Sequence, residues 1–318
     1  MRATRRAARG DGHVDLATTI GTVLLPNPVM TAAGTSGHGA ELSGYFDLDC
    51  LGAVVVKSLS AKPWDGNPAP RVAEVAAGMI NSVGLQNTGV QRWVQDHLPD
   101  LRASGCRIVA SIWGFTVDDY EAAARELRGV AGLIAVEVNV SCPNIEDRRH
   151  MFAHSMQGTA DVVAAVRRGL GSSMPLWAKL SPNVTSIVDI VGAAVGAGAD
   201  AVTLVNTVMG LAIDVETRKA RLGGGGGGVS GPAIRPIAVR AVFETRREHP
   251  TVPIIGVGGV ARGVDAIELL MAGASAIEVG TATFYEPEAP VRVLNEIRTW
   301  CHGHGIDSLN ELIGAAHG

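Results

Sequence analysis

The side chains best suited to chemistry in this chain cluster at the ends of short apolar runs. Lys57 closes the run Ala53 to Lys57, Asn139 closes Leu133 to Asn139 and leads into Ser141-Cys142-Pro143-Asn144, Lys179 lies in Leu176 to Leu180, and Asn206-Thr207 follow Ala201 to Val205. A thiol such as Cys142 can act as a general base, because its pKa starts within reach of neutrality and a nearby ammonium or amide donor lowers it further. Taken singly, a cysteine is more often a small buried apolar side chain, and a lone Asn or Lys more often a satisfied strand end. Several such groups at equivalent places mark a site. Gly258-Gly259 and Gly280-Thr281 also follow apolar runs directly, and bare backbone N–H groups at such turns can cradle a phosphate. Tight turns need glycine anyway, so it is their place in the order of the runs that gives them meaning.

The elements that must position these groups follow from the hydrophobic pattern. Eight β-branched or aliphatic runs recur: Val29 to Ala33, Ala53 to Lys57, Arg107 to Ser111, Leu133 to Asn139, Leu176 to Leu180, Ala201 to Val205, Pro253 to Val257 and Ala276 to Gly280. Helical periodicity fills most gaps, over Val90 to Leu98, Val117 to Leu127, Thr159 to Gly169, Ile187 to Gly196, Ala233 to Arg247, Val264 to Ala272 and Pro290 to Trp300. This predicts an α/β fold, a single (β/α)8 TIM barrel, with a basic disordered tail over residues 1–14 and the barrel over 15–318. In such a barrel the strand C-termini and following loops build the active site, and the loops after strands seven and eight habitually bind phosphate. The diglycine and Gly-Thr turns fall there. Two long insertions, Ser58 to Gln91 and Thr207 to Gly231, belong to the same face. The second holds the run Gly223 to Gly228, which as free chain would be mobile.

Composition narrows the function classes. The chain has 318 residues, 47% hydrophobic and 18% charged, with 40 glycines and few aromatics, which suits many tight βα turns around small aliphatic strands. A net charge of -4 offers no field for nucleic acid or an anionic membrane, and no segment has the continuous apolar length of a membrane span. The twin Arg near the start is followed by no apolar stretch. Cys50, Cys106, Cys142 and Cys301 are too scattered for a disulfide framework and lack C-x-x-C spacing, which predicts a cytoplasmic protein with no metal site of its own. Cys50, Cys106 and Cys301 read as structural. Acidic residues are scarce at the strand ends and the histidines fall mostly in loops or tails, against a paired-carboxylate hydrolase or a His-metal site.

From Asn27 onward the chain resembles the class 1 dihydroorotate dehydrogenases, most closely the class 1B catalytic subunit. The resemblance is carried by Asn27-Pro28-Val29-Met30-Thr31-Ala32-Ala33-Gly34, Val56-Lys57-Ser58, Gly66-Asn67-Pro68 through Arg71, Asn81-Ser82-Val83-Gly84-Leu85-Gln86-Asn87, Asn139-Val140-Ser141-Cys142-Pro143-Asn144, Lys179-Leu180-Ser181-Pro182-Asn183, Asn206-Thr207, Ser230-Gly231-Pro232-Ala233-Ile234, Gly258-Gly259 and Gly280-Thr281. It implies an FMN across the barrel mouth, its phosphate on Gly258, Gly259, Gly280 and Thr281. The other implied flavin contacts are Ala33, Gly34, Lys57, Ser58, Ser111, Asn139, Lys179, Val205 and Gly231. Lys179 near the N1/O2 edge would stabilise negative charge there. The pyrimidine, dihydroorotate or orotate, would be held by Lys57, Asn81, Ser82, Val83, Gly84, Leu85, Asn139, Asn144, Asn206 and Thr207, an amide-rich cage suited to a cyclic ureide. Catalysis would rest on Cys142, taking the C5 proton as hydride leaves C6, together with Lys57. The resemblance also implies a homodimer and an electron-transfer partner subunit carrying an iron-sulfur cluster and FAD.

The sequence departs from the family pattern in places. Ile145 to His154 is more charged than its counterpart and lacks the usual glycines, Ser111 stands where an Asn is expected, Trp113 where a small residue is usual, and Arg235 where Lys is usual. Two other readings stand beside the main one. One is a paralogue using the same flavin and thiol on another dihydropyrimidine or alkene; the other is a barrel that binds a phosphorylated metabolite without redox chemistry.

Overall fold

The computed structural model describes residues 14–141 and 152–318. Eight strands, β1 (Val29–Thr31), β2 (Val54–Val55), β3 (Ile108–Ile112), β4 (Leu133–Asn139), β5 (Leu176–Leu180), β6 (Ala201–Leu204), β7 (Ile254–Val257) and β8 (Ala276–Val279), form one parallel sheet in the order β1-β8-β7-β6-β5-β4-β3-β2. Its ends meet. The Gly52 N–H donates to the Val29 carbonyl at 2.8 Å and the Thr31 N–H to the Ala53 carbonyl at 3.3 Å, so the sheet closes into the expected (β/α)8 barrel and leaves no edge. Each of the eight predicted runs supplies one strand, and β4 and β5 have the predicted bounds.

Strand alternation sorts the side chains into two cores. Inward-facing Met30, Ala53, Val55, Val109, Ala135, Trp177, Ala201, Ile255 and Ala276 fill the lower barrel together with Ile20 and Leu25, from a hairpin of Thr18–Ile20 and Val23–Leu25 that plugs its N-terminal end. Outward-facing residues such as Val54, Ile108, Ala110, Val136 and Leu180 pack against the apolar stripes of the surrounding helices. Helices Val117–Leu127 and Ile187–Gly196 have their predicted bounds. The first is fixed by a reciprocal cap: Thr116 Oγ1 accepts from the Asp119 N–H, and Asp119 accepts from the Thr116 N–H. The predicted helix Val90 to Leu98 instead breaks into Val90–Asp96 and Leu98–Ala103. Pro99 has no N–H to continue the first segment, and its ring would crowd the carbonyl four residues back, so it starts a new helix.

The two insertions build one structure. Their strands form a four-stranded antiparallel sheet, in the order Val208–Gly210, Gly227–Ser230, Gly78–Asn81, Val72–Val75, standing over the barrel mouth. This corrects the expectation of a free glycine tract. Gly227 and Gly228 are strand residues, and a Cβ on Gly227 would fall 2.3 Å from the Asn81 carbonyl oxygen and one on Gly228 2.0 Å from Thr207 Oγ1. Gly227 and Gly228 are there for close approach.

Of the expected basic tail, residues 1–13 lie outside the described residues, and Val14 is already buried. The start of the described chain is tied to its end: the Asp15 N–H donates to the Asp307 carbonyl at 2.9 Å and the Leu309 N–H to the Asp15 carbonyl at 2.8 Å. Among the described residues, no helix is long and apolar enough to cross a membrane.

Candidate active site

A cavity of about 970 Å³ opens at the C-terminal end of the barrel strands, under the four-stranded sheet. Period-two alternation puts Asn139 and Lys179 on the inward face of adjacent strands, paired in register, and both line its floor. Asn139 Oδ1 accepts from Asn206 Nδ2 and from the Ser141 N–H, both at 3.1 Å, which ties the end of β4 to the end of β6. Asn206 Oδ1 in turn accepts from the Thr207 N–H at 2.9 Å. Ser141 Oγ is buried at the cavity wall with no hydrogen-bond partner among the described residues.

The roof comes from the first insertion. Asn81, Ser82, Val83, Gly84 and Leu85 all line the cavity, beside Thr207 and Gly228. Their loop is held from behind: Asn67 Nδ2 donates to Ser82 Oγ at 2.8 Å, Arg71 Nε to the Asn67 carbonyl at 2.6 Å, and Arg71 also bonds Gln86. Across the mouth, Ala33, Gly34, Ser58, Val205 and Gly231 complete the wall. Lys57 lies there too, its Nζ so near the backbone that a Cβ on Gly34 would be 3.9 Å away. Burial, and then the positive charge of Arg71, hold its pKa below the usual lysine range.

The far end is made of backbone. Gly258 and Gly259, with φ of 124° and 79°, turn the chain after β7, and Gly280 and Thr281 follow β8; all four line the cavity. The helix after β7, Gly263–Met271, is not the open donor: Asp265 already accepts from the Ala261 and Arg262 N–H groups, and Glu296 from that of Gly263. Arg235 is spent on Asp265 and Glu268 and does not line the cavity. What remains is a glycine cradle with the Thr281 hydroxyl, bonded to Ser230 Oγ at 2.8 Å.

One of the expected site residues within the described chain stands away from the cavity, and two others fall outside the described residues. Ser111 does not line the cavity; it lies one layer below, its hydroxyl sharing a 2.8 Å hydrogen bond with that of Ser58. It supports a wall residue instead of facing a ligand. Cys142 and Asn144 lie outside the described residues, as does most of the Ile145 to His154 loop. Trp113 is fully buried against Phe115, edge on at 4.6 Å, and away from the cavity.

The sequence reading missed the acidic partners of Lys179. Its Nζ is 2.6 Å from Glu278 Oε2 and 3.7 Å from Glu137 Oε1, with all three side chains almost wholly buried. Burial works against the ammonium, but the two carboxyls outweigh it and hold the Lys179 pKa above the usual lysine range. Thr203 Oγ1 donates to Glu137 Oε2 at 2.9 Å. Glu137 sits two residues before Asn139 and Glu278 two before Gly280, so counting back along the inward face from the polar strand ends would have found both.

The donor set fits a flavin mononucleotide: a cavity of ligand size lined by a buried ammonium, by glycine turns that could cradle a phosphate, and by amide groups. Comparison with known proteins points the same way. The dihydroorotate dehydrogenase family model matches residues 15–300. The dihydroorotate dehydrogenase B (NAD(+)) catalytic subunit of Desulforudis audaxviator is 47% identical over 304 residues, 96% of this chain and 98% of that one. That of Citrifermentans bemidjiense is 41% identical over 301 residues, 95% and 98% of the two chains. A Solibacter usitatus protein, provisionally named a dihydroorotate dehydrogenase A (fumarate), is 48% identical over 299 residues, 94% and 97% of the two chains. The chain belongs to the dihydroorotate dehydrogenase family.

Proposed function

We propose that this chain oxidises dihydroorotate to orotate in pyrimidine biosynthesis, with FMN as its flavin and Cys142 as the base. The observation that carries the reading is the cavity itself, with a buried lysine on its floor, an amide cage above it and a glycine cradle for phosphate beyond. FMN bound there would supply the hydride acceptor.

The chain's own residues do the rest. Dihydroorotate is an anion, and of the two cations lining the cavity Lys179 is already paired with carboxyls, so Lys57 is the partner left for the substrate carboxylate. Asn81, Asn139, Asn206 and Thr207 offer both donors and acceptors, matching the alternating carbonyl and N–H groups of a ureide once water is excluded. Ser141 lines the cavity wall, and on the resemblance to the family the base is assigned to the residue that follows it in the sequence, Cys142. Its thiolate takes the C5 proton. A substrate held by the amide cage with C5 toward the base and C6 toward the hydride acceptor would meet a lower barrier through fixed geometry. Orotate then leaves and the electrons pass on, in a homodimer served by an iron-sulfur and FAD subunit that reduces NAD.

The purified chain should be yellow, and orotate should perturb its flavin spectrum. A colourless protein, or a spectrum indifferent to orotate, would remove the reading. Dihydroorotate oxidation with a dye acceptor, compared with fumarate and with NAD given the partner subunit, assigns the acceptor, which the relatives' names divide between.

A further inference from the structure

Lys179 at the cavity floor is backed by Glu137 and Glu278, which are wholly buried inside the barrel and do not line the cavity. The charges of this cluster come from β4, β5 and β8 alone; β1, β2, β3, β6 and β7 contain no charged residue. Lys57 and Glu74 are the other charged side chains lining the cavity among the described residues. Counting donors against acceptors exposes an imbalance. Glu278 Oε2 accepts from Lys179 and Glu137 Oε2 from Thr203, while Glu278 Oε1 and Glu137 Oε1 are both buried with no donor among the described residues. With all three groups ionised the cluster would carry a net negative charge inside the barrel, and two orphaned carboxylate oxygens besides. One proton on the carboxyl pair makes the cluster neutral and gives one buried oxygen a hydrogen of its own to donate.

We propose that Glu137 and Glu278 share a single proton at neutral pH, so that the cluster is electrically neutral, and that this pair positions the Lys179 ammonium at the cavity floor. The direction of the Glu278 titration agrees: burial, and then the facing Glu137, push its carboxyl well above the usual range despite the opposing pull of Lys179. Glu137 and Glu278 act through Lys179 and are positioning residues. Their bearing on a flavin above the lysine rests on the function proposed here; the proton itself does not.

Two measurements separate these. Infrared spectra of the flavin-free protein at neutral pH should show the carbonyl stretch of a buried protonated carboxyl, lost in both Glu278→Gln and Glu137→Gln. A wild-type spectrum without that band, or a band that survives both substitutions, overturns the shared proton whatever the cofactor. In the flavin-loaded protein, either single amide variant removes only the proton's site and keeps the cluster neutral, so the reduction potential of the bound flavin at neutral pH should stay at the wild-type value. The double variant Glu137→Gln/Glu278→Gln leaves Lys179 uncompensated and should shift the potential upward. An upward shift in each single variant would mean that both carboxyls are ionised, and the proposal would fall. Should the double variant not fold, the infrared loss in the single variants decides the matter. Should the protein bind no flavin, the function reading fails while the infrared outcome still stands for the proton.

Discussion

Replacing Gly228 by alanine isolates the roof from the floor of the site. A Cβ on Gly228 would lie 2.0 Å from Thr207 Oγ1 and 2.6 Å from Thr207 Cβ, far inside contact distance, so either Thr207 turns away or the strand Gly227–Ser230 moves off Gly78–Asn81. Both outcomes disturb the roof, because Asn81 Nδ2 donates to the Gly228 carbonyl at 3.2 Å. Overpacking of this kind costs about 1–3 kcal/mol. If that strain falls on the ligand-bound geometry, orotate affinity drops by roughly 5- to 150-fold at 1.4 kcal/mol per tenfold. Of the residues proposed for the phosphate, Gly258, Gly259 and Gly280 follow barrel strands and only Thr281 bonds the displaced strand, at Ser230, so flavin should be retained and its affinity should fall less than that of orotate. The assay is an orotate titration of the flavin absorbance, with urea unfolding alongside. Gly225→Ala is the control: a Cβ there meets nothing within 4 Å, but its φ of 82° is unfavourable for alanine, so it should lose about 1–2 kcal/mol of stability and keep its orotate affinity. Equal orotate affinity in Gly228→Ala and wild type would refute the close-approach argument.

Cys142→Ala should keep flavin and bind orotate but lose turnover at neutral pH, with Cys142→Ser active only at higher pH if at all; full activity in Cys142→Ala removes the base assignment. Lys57 has a pKa held below the usual lysine range by burial and by Arg71, so it loses its charge earlier than a free lysine as pH rises. Orotate affinity should therefore fall across that alkaline range with proton uptake on binding, seen by calorimetry in buffers of different ionisation heat; a flat profile excludes Lys57 as the carboxylate partner. The same depression means that the unfolded chain holds more protons on Lys57 than the folded one between the folded and ordinary lysine values, so this residue's penalty to stability lifts as pH climbs through that window. Lys57→Met should lose that slope in urea melts. Ser111→Ala should leave Ser58 Oγ without its 2.8 Å partner and cost about 1–3 kcal/mol in unfolding, with the flavin spectrum little changed.

Much of the barrel was legible because parallel strands buried on both faces read as unbroken apolar runs that stop at a polar residue. That is why β4 and β5 end where their polar termini, Asn139 and the residues after Leu180, say they must. The break at His97 was also legible in principle, since Pro99 is incompatible with the interior of a continuous helix. The roof was not, because its strands pair across 147 residues of chain, Asn81 with Gly228, and nothing local in a run of glycines announces a distant partner. Flexibility was the local reading, and tertiary contact overrode it. Glu137 and Glu278 were overlooked for a related reason: charged residues inside an apolar strand are taken as outward unless the parity is counted from a known inward neighbour. Ser111 shows the reverse, a residue of the right parity that lies one layer too deep to meet a ligand.

The hairpin that stoppers the barrel at Ile20 and Leu25 governs traffic as well as packing. With the base filled by that hairpin, the cavity among the described residues opens at the C-terminal ends of the strands, so a reactant and its product would come and go on that side. The second half of the catalytic cycle then has to wait until the first product has cleared the threshold, or reach the flavin past it along the rim. Steady-state patterns with varied donor and acceptor would tell queueing from passing, and the answer is written into which end of the barrel was closed.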